Sequence, residues 1–223
     1  MNFNDIKLVI FDMDGLMFDT EKLYVKMWPE AAINFGYDIS EDFVKSSIGL
    51  NIEAGCEHFK KQFGQDFPYH EIRAERVKAM IALVKQNGIP IKNGLCELVL
   101  YLHGINVKMV VATSSERSKT EIYIKSSGLF DYFDFIVCGD EISQSKPNPE
   151  IFLKAAEKAG IPIEQCLVLE DSENGINAAF NAKMKCIMVP DLIAPNEELV
   201  KKSTMICSSL SEVSENFKIE KNI

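Results

Sequence analysis

Residues 7–15 read KLVIFDMDG, an apolar run that ends in two aspartates and a glycine. A short run of branched apolar residues is typical of a strand that is buried on both faces of a parallel sheet. Asp12 and Asp14 would then lie at the carboxyl end of that strand, where open α/β sheets bind their ligands. Gly15 would let the chain turn sharply there. The segment therefore predicts a buried strand with a polar site at its end.

Five further apolar runs follow in the rest of the chain. They are residues 108–112, 135–138, 166–169 and 186–189, with 205–207 as a weaker candidate. Helical patterns at residues 116–126, 149–158 and 174–182 lie between them, and the charged run at residues 197–202 is most simply a solvated helix face. This alternation predicts an α/β fold with a doubly wound, Rossmann-like parallel sheet and right-handed crossovers.

Residues 18–86 interrupt this alternation with a pattern that is almost wholly helical. Breaks at Gly36, at Ser40 as a helix N-cap, at Gly49 and at residues 64–68 divide it into about four helices, too many for a single crossover connection. We therefore expect an all-helical cap domain at residues 18–86, inserted into an α/β core of residues 1–17 and 87–223. Because the insertion follows the first strand, the cap would stand above the carboxyl ends of the strands.

Polar side chains follow four of the apolar runs. Besides Asp12 and Asp14, they are Thr113 with Ser114 and Ser115 after the second run, Lys146 in the loop after the third, and Glu170 with Asp171 and Ser172 after the fourth. The ends of parallel strands share one edge of a sheet, so these groups would converge on one crevice.

The ordered set of motifs resembles that of the haloacid dehalogenase-like hydrolase family, in the branch with a helical cap after the first motif. The matching residues are Asp-x-Asp-Gly at Asp12, the strand-terminal Thr113, Lys146 in Lys-Pro-x-Pro, and the acidic pair Glu170-Asp171. The resemblance covers essentially the whole chain. It implies a phosphatase that cleaves small phosphorylated metabolites, such as sugar or nucleotide-like monophosphates, and uses Mg²⁺ as its cofactor.

The chemistry of phosphoryl transfer suggests a role for each residue. Asp12 would attack phosphorus and form an aspartyl phosphate, and Asp14 would serve as general acid and base. Lys146 would neutralise charge on the transferring oxygens, and Thr113 and Ser114 would bind the phosphate. The expected catalytic set is therefore Asp12, Asp14, Lys146 and Thr113.

The acidic residues also predict a metal site. Asp12, Glu170 and Asp171 would repel one another unless a hard cation lay among them, and carboxylate oxygens suit Mg²⁺. We expect Asp12 and Asp171 as direct ligands, the backbone carbonyl of Asp14 as another, and Glu170 acting mainly through water.

Each motif alone has a simpler structural explanation. Asp-x-Asp-Gly can be an ordinary turn, and Lys146 can be a solvated loop lysine. Thr113 can cap the helix that follows it, and Asp171 and Ser172 can cap theirs. These explanations do not account for four such features that follow strands in one order.

Several functions remain open as alternatives. Among proteins with these motifs, Asp14 favours phosphoryl transfer over dehalogenation, and phosphonate cleavage would need a cap lysine that cannot be assigned. A sugar-phosphate mutase similar to β-phosphoglucomutase is the closest alternative. Its pattern has a histidine four residues after the threonine, where this sequence has Tyr24. It also has a cap arginine three residues after a glycine, whereas Gly49 is followed by Leu50-Asn51-Ile52 in this sequence. Thr20, Tyr24 and Asn51 are candidate specificity residues. A phospho-acceptor regulatory module is an alternative of another class.

Composition limits the partners and the compartment. The net charge of −9 opposes binding to nucleic acid or to an anionic membrane. The N-terminus lacks the pattern of a signal peptide, and the six cysteines show no C-x-x-C spacing, which favours free thiols in the cytoplasm. We expect a monomer whose partner is a small phosphorylated metabolite.

Overall fold

A computed structural model describes residues 2–48, 50, 52–192 and 194–221. Its strands are β1 (Leu8–Phe11), β2 (Lys108–Thr113), β3 (Phe135–Cys138), β4 (Cys166–Glu170), β5 (Lys185–Met188) and β6 (Met205–Ile206). Its helices are α1 (Thr20–Ile33), α2 (Glu41–Lys45), α3 (Ile52–Phe63), α4 (Tyr69–Asn87), α5 (Leu95–Gly104), α6 (Arg117–Ser126), α7 (Glu150–Ala159), α8 (Glu173–Asn181), α9 (Glu197–Lys202) and α10 (Leu210–Lys221).

The chain divides into an α/β unit and a helical unit. The α/β unit consists of Met1–Asp19 and Pro90–Ile223, and the helical unit of Thr20–Ile89. Both junctions lie slightly C-terminal to those expected from the sequence. Over residues 2–221, leaving aside the undescribed positions 49, 51 and 193, no helix is at once long and apolar enough to cross a membrane.

The α/β unit is built on a six-stranded parallel sheet with the order β3-β2-β1-β4-β5-β6. The first strand lies in the middle, where Leu8 pairs with Lys108 of β2 on one side and with Cys166 of β4 on the other. The strand order reverses beside β1, which is the position where doubly wound sheets bind ligands. The predicted fold class is confirmed.

Alternate residues of β1 face opposite sides of the sheet, and both sides are buried. Leu8 and Ile10 belong to a core cluster with Ile151 and Phe152 of α7 and with residues of α8. The intervening residue Val9 is also fully buried. This double burial explains why the strand is a continuous apolar run rather than an alternating one.

The helical unit has its own apolar core. Its side chains include Trp28 of α1, Phe59 of α3 and Tyr69 of α4, and the Trp28 and Phe59 rings stack with centroids 4.4 Å apart. The predicted N-cap at Ser40 is confirmed, because its Oγ accepts a hydrogen bond from the backbone N–H of Phe43 at 3.2 Å.

Candidate active site

Three adjacent strands bring most of the candidate residues to one edge of the sheet. Asp12 directly follows β1, Thr113 ends β2 and Glu170 ends β4, and β1 lies between the other two strands. Lys146 comes from the loop between β3 and α7, and its peptide bond to Pro147 is cis. The topology thus places four residues from distant parts of the chain close together.

Lys146 lies at the centre of this group. Its Nζ donates hydrogen bonds to Asp12 Oδ1 at 2.5 Å and to Glu170 Oε1 at 2.6 Å, and contacts the carbonyl oxygen of Ala112 at 3.3 Å. Only 6% of the residue is exposed, and the side chain lies against the ring of Phe152. Lys146 is therefore a buried ion-pair partner and not a solvated loop lysine.

Burial and charge act in opposite directions on these groups. Burial raises the pKa of Asp12 from 3.8 to about 7, although the neighbouring Lys146 ammonium works to lower it. Burial alone would lower the pKa of Lys146, but the carboxylates of Asp12 and Glu170 raise it above its ordinary value. Lys146 is thus held in its charged form, while the ionised form of Asp12 is costly without further positive charge.

Glu170 is fixed by four donors. Its Oε1 accepts from Lys146, and its Oε2 accepts from the backbone N–H groups of Asp171 and Ser172, both at 2.9 Å, and from the Ser172 hydroxyl at 3.0 Å. Ser172 also caps α8, where its Oγ accepts from Gly175 N–H at 3.1 Å. The helix cap proposed for this position is therefore present, and it coexists with a contact to the buried acid.

The acidic residues are arranged as a cation site would require. Asp12, Glu170 and Asp171 are all buried, and each offers a carboxylate oxygen within 4.8 Å of the others. Gly15, at φ +88°, faces Asp171, and a Cβ at this position would collide with that carboxylate. Three hard oxygen donors with one nearby lysine suit a divalent cation such as Mg²⁺.

Asp14 lies beside two residues that the sequence did not single out as site residues. Its Oδ2 accepts a hydrogen bond from Ser115 Oγ at 2.6 Å, and Lys119 Nζ lies 3.2 Å from both carboxylate oxygens. Ser114, the expected phosphate ligand, is exposed. The neighbouring Ser115 is the serine that contacts the acid.

Thr113 is buried at the end of β2. Its Oγ1 accepts a hydrogen bond from the backbone N–H of Ser115 at 3.1 Å, and the N-cap residue of α6 is Glu116. Thr113 therefore shapes the turn that presents Ser115, and it does not cap the following helix.

The expected specificity residues belong to the helical unit. Thr20 is buried at the start of α1, and the Tyr24 hydroxyl lies 3.0 Å from Ser47 Oγ. The guanidinium of Arg76, a buried residue that no sequence motif marks, lies 4.4 Å from the centre of the Tyr24 ring. Asn51 lies outside the described residues.

Comparisons with known proteins show which family the chain resembles. The family model described as haloacid dehalogenase-like hydrolase matches residues 9–189. A probable pseudouridine-5'-phosphatase of Drosophila melanogaster is 32% identical over 210 residues, which cover 91% of this chain and 89% of the relative. A fructose-1-phosphate phosphatase of Escherichia coli (strain K12) is also 32% identical, over 81% of this chain and 95% of its own length.

A solved structure shows the same architecture over nearly the full length. A family IA, variant 3 hydrolase of Entamoeba histolytica superposes with a TM-score of 0.81 and 27% identity, and the match covers 97% of this chain and 100% of the other. The family match over residues 9–189 contains all the motif residues from Asp12 to Asp171. The resemblance carried by the four motifs is thereby confirmed, and the chain belongs to the haloacid dehalogenase-like hydrolase family.

Proposed function

We propose that this hydrolase is a magnesium-dependent phosphatase that acts on small phosphorylated metabolites through an aspartyl phosphate on Asp12. The observation that carries the proposal is the buried cluster in which Lys146 joins Asp12 to Glu170, with Asp171 adjacent. The relatives named as phosphatases of fructose 1-phosphate and pseudouridine 5'-phosphate support sugar or nucleotide-like monophosphates as the substrate class.

The first step would transfer the phosphoryl group to the protein. A carboxylate oxygen of Asp12 forms a bond to phosphorus while the P–O bond to the leaving alcohol breaks. Asp14 gives its proton to the departing oxygen, so the product leaves as a neutral alcohol. Asp12 then carries the phosphoryl group, and Asp14 is ionised.

The second step would return the protein to its starting state. The oxygen of a water molecule forms a bond to phosphorus and gives a proton to Asp14, while the P–O bond to Asp12 breaks. Inorganic phosphate leaves, the Asp12 carboxylate is regenerated, and Asp14 is protonated for the next cycle. The same residue thus serves as acid and then as base.

The surrounding residues would bind and orient the phosphoryl group. Lys146 holds the Asp12 carboxylate and adds positive charge, and Thr113 and Ser114 are the proposed phosphate ligands. For Mg²⁺ we assign Asp12 and Asp171, the backbone carbonyl of Asp14, and Glu170 acting through water. When bound, the ion supplies the positive charge that neutralises the acidic residues and the phosphoryl oxygens.

Substrate selection would rest on the helical unit. We assign it to Thr20, Tyr24 and Asn51, which lie in the segment 18–86 expected to form a cap domain. Tyr24 replaces the histidine of the mutase pattern, which favours transfer of the phosphoryl group to water over its return to a sugar.

The test measures release of inorganic phosphate from p-nitrophenyl phosphate and from fructose 1-phosphate, with Mg²⁺ and with a chelator. We expect turnover that requires Mg²⁺ and is lost in Asp12→Asn, because the amide is a poor nucleophile. Asp42→Asn is the matched control, since this exposed aspartate pairs with Lys45 on the surface of the helical unit. Acid quenching followed by mass spectrometry should place a phosphoryl group on Asp12.

Three results would contradict the proposal. Unchanged turnover in Asp12→Asn would reject the nucleophile. Stable phosphorylation without turnover would indicate a phospho-acceptor module. Conversion of glucose 1-phosphate to glucose 6-phosphate in the presence of a sugar bisphosphate, without release of phosphate, would indicate a mutase.

A further inference from the structure

A lysine outside the family motifs holds the carboxylate of Asp14. Lys119 Nζ lies 3.2 Å from each oxygen of this carboxylate and 2.9 Å from Ser115 Oγ, which itself donates to Asp14 Oδ2 at 2.6 Å. The three side chains thus form a closed triangle of hydrogen bonds. The two donors act on one carboxylate from residues that lie more than a hundred positions away in the sequence.

The position of Lys119 is itself determined by its neighbours. Lys119 lies in the first turn of α6, four residues before Tyr123, so these two side chains are neighbours on one face of the helix. Ser115 lies just before the helix and accepts a hydrogen bond from Lys119. The Lys119 ammonium lies 5.1 Å from the centre of the fully buried Tyr123 ring. Only 20% of the Lys119 side chain is exposed, so it is far more restricted than an ordinary surface lysine.

Fixing the direction of this carboxylate matters for the chemistry proposed for it. A general acid must hold its proton within hydrogen-bond reach of the leaving oxygen, and a misplacement of about 1 Å can cost roughly 10²-fold in rate. The side chain of Asp14 is partly open to solvent, with 24% of its surface exposed. Packing alone therefore leaves it some freedom, which contacts from Ser115 and Lys119 can remove.

We propose that Lys119, together with Ser115, is a positioning residue that orients the Asp14 carboxylate for proton transfer to the leaving group and from the attacking water. The inference rests on the proposed function, because it assumes that Asp14 acts as general acid and base. Lys119 acts through Asp14, and in this assignment it touches neither the substrate nor the attacking water.

The test compares two leaving groups. p-Nitrophenolate is a stable anion that needs little help from an acid, whereas the alkoxide of fructose 1-phosphate needs a proton. We expect Lys119→Met to lower the single-turnover rate of Asp12 phosphorylation by fructose 1-phosphate about tenfold or more, and the rate with p-nitrophenyl phosphate by less than about threefold. This step is measured alone because hydrolysis of the aspartyl phosphate also uses Asp14 and is the same for both substrates. Lys119→Arg should recover most of the lost rate, because it restores a cationic donor.

A double-mutant cycle then separates positioning from other roles. Asp14→Asn alone should lower turnover of fructose 1-phosphate by about 10²–10⁴-fold, and adding Lys119→Met should cause little further loss. Lys125→Met is the matched control, because this lysine of the same helix is exposed and pairs with Glu121 instead. If Lys119→Met does not fold, Ser115→Ala removes the other donor and should show the same dependence on the leaving group.

Equal losses on both substrates in Lys119→Met, or in Ser115→Ala where that variant is used, would overturn the inference. Independent, multiplicative losses in the double variant would overturn it as well. These results differ from failure of the proposed function, in which the wild-type protein shows no Mg²⁺-dependent turnover or Asp12→Asn keeps it. In that case the inference falls with the function on which it rests.

Discussion

Replacing Lys146 with methionine removes the positive charge between two buried carboxylates. The Nζ lies 2.5 Å from Asp12 Oδ1 and 2.6 Å from Glu170 Oε1, and Glu170 is fully buried. At an effective dielectric constant of about 20, each contact corresponds to roughly 6 kcal/mol of gross Coulomb attraction. Desolvation offsets most of this, and removing one partner of a buried ion pair typically costs about 3–5 kcal/mol. We expect Lys146→Met to lower the free energy of unfolding by that amount at pH 8.

The loss in Lys146→Met should depend on pH in a defined direction. The pKa of Asp12 is already raised to about 7 by burial, and removal of Lys146 raises it further. A carboxyl group whose pKa is raised on folding carries no penalty below its unfolded pKa and the full penalty above its folded pKa. The destabilisation should therefore be smaller at pH 5, where Asp12 is protonated in the folded state, than at pH 8.

Urea unfolding at both pH values, with a chelator present, measures this difference. Added Mg²⁺ should recover part of the stability at pH 8, because a cation that binds the folded state replaces the missing charge. Lys45→Met serves as the control, since its ion pair with Asp42 is solvent-exposed and its removal should cost nothing measurable. A loss in Lys146→Met that is equal at pH 5 and pH 8, or no loss at either, would refute the electrostatic account.

Two further predictions concern a glycine and the cysteines. Gly15→Ala should destabilise the fold by about 1–3 kcal/mol and abolish turnover, because φ is +88° and the new Cβ would collide with Asp171. Gly36→Ala is the control, because Gly36 has a φ of +81° but no described atom within 4 Å beyond its chain neighbours, so it should show the backbone strain alone. Equal losses of stability in the two variants, measured by urea unfolding, would argue against the collision. All six cysteines lie in the described part of the chain and only Cys96 is exposed, while burial raises the pKa of Cys166 to about 11. Iodoacetamide should therefore add once to the native protein, as read by intact mass, and several additions at similar rates would contradict the described burial.

The sheet, and the edge of it that carries the candidate active site, could be predicted because short local sequence patterns indicate both. Each buried strand is a short apolar run, and the residue after the run shows which side chain lies at its end. Parallel pairing then brings the ends together without further information. For this reason the positions of Asp12, Thr113 and Glu170 at one edge follow from the sequence.

Two helices of the α/β unit were not predicted. The helix α5 is almost wholly apolar over Leu95–Gly104 and begins after Gly94, so it has neither a polar face nor a side-chain N-cap bond to mark it. The other is α10, which packs against α5 near the end of the chain. Their sequences carry weak periodicity, and their helical state depends on this tertiary contact.

The details of the site depended on contacts between distant residues. Ser114 and Ser115 are equivalent in the sequence, and only the turn after β2 decides that Ser115 contacts Asp14. Lys119 reads as an ordinary surface lysine of an amphipathic helix, because nothing near it in the sequence indicates contact with an acid 105 positions earlier. The burial of Arg76 likewise depends on packing within the helical unit.

The central position of β1 in the sheet has a consequence for synthesis on the ribosome. Asp12 is synthesised 134 residues before its partner Lys146, and β4 follows later still. Until then a nascent chain carries this acid without the charge that balances it. Competence to bind phosphate or a cation should arise abruptly when β4 docks beside β1, so that ligand affinity in stalled chains of increasing length would report on the docking of β4.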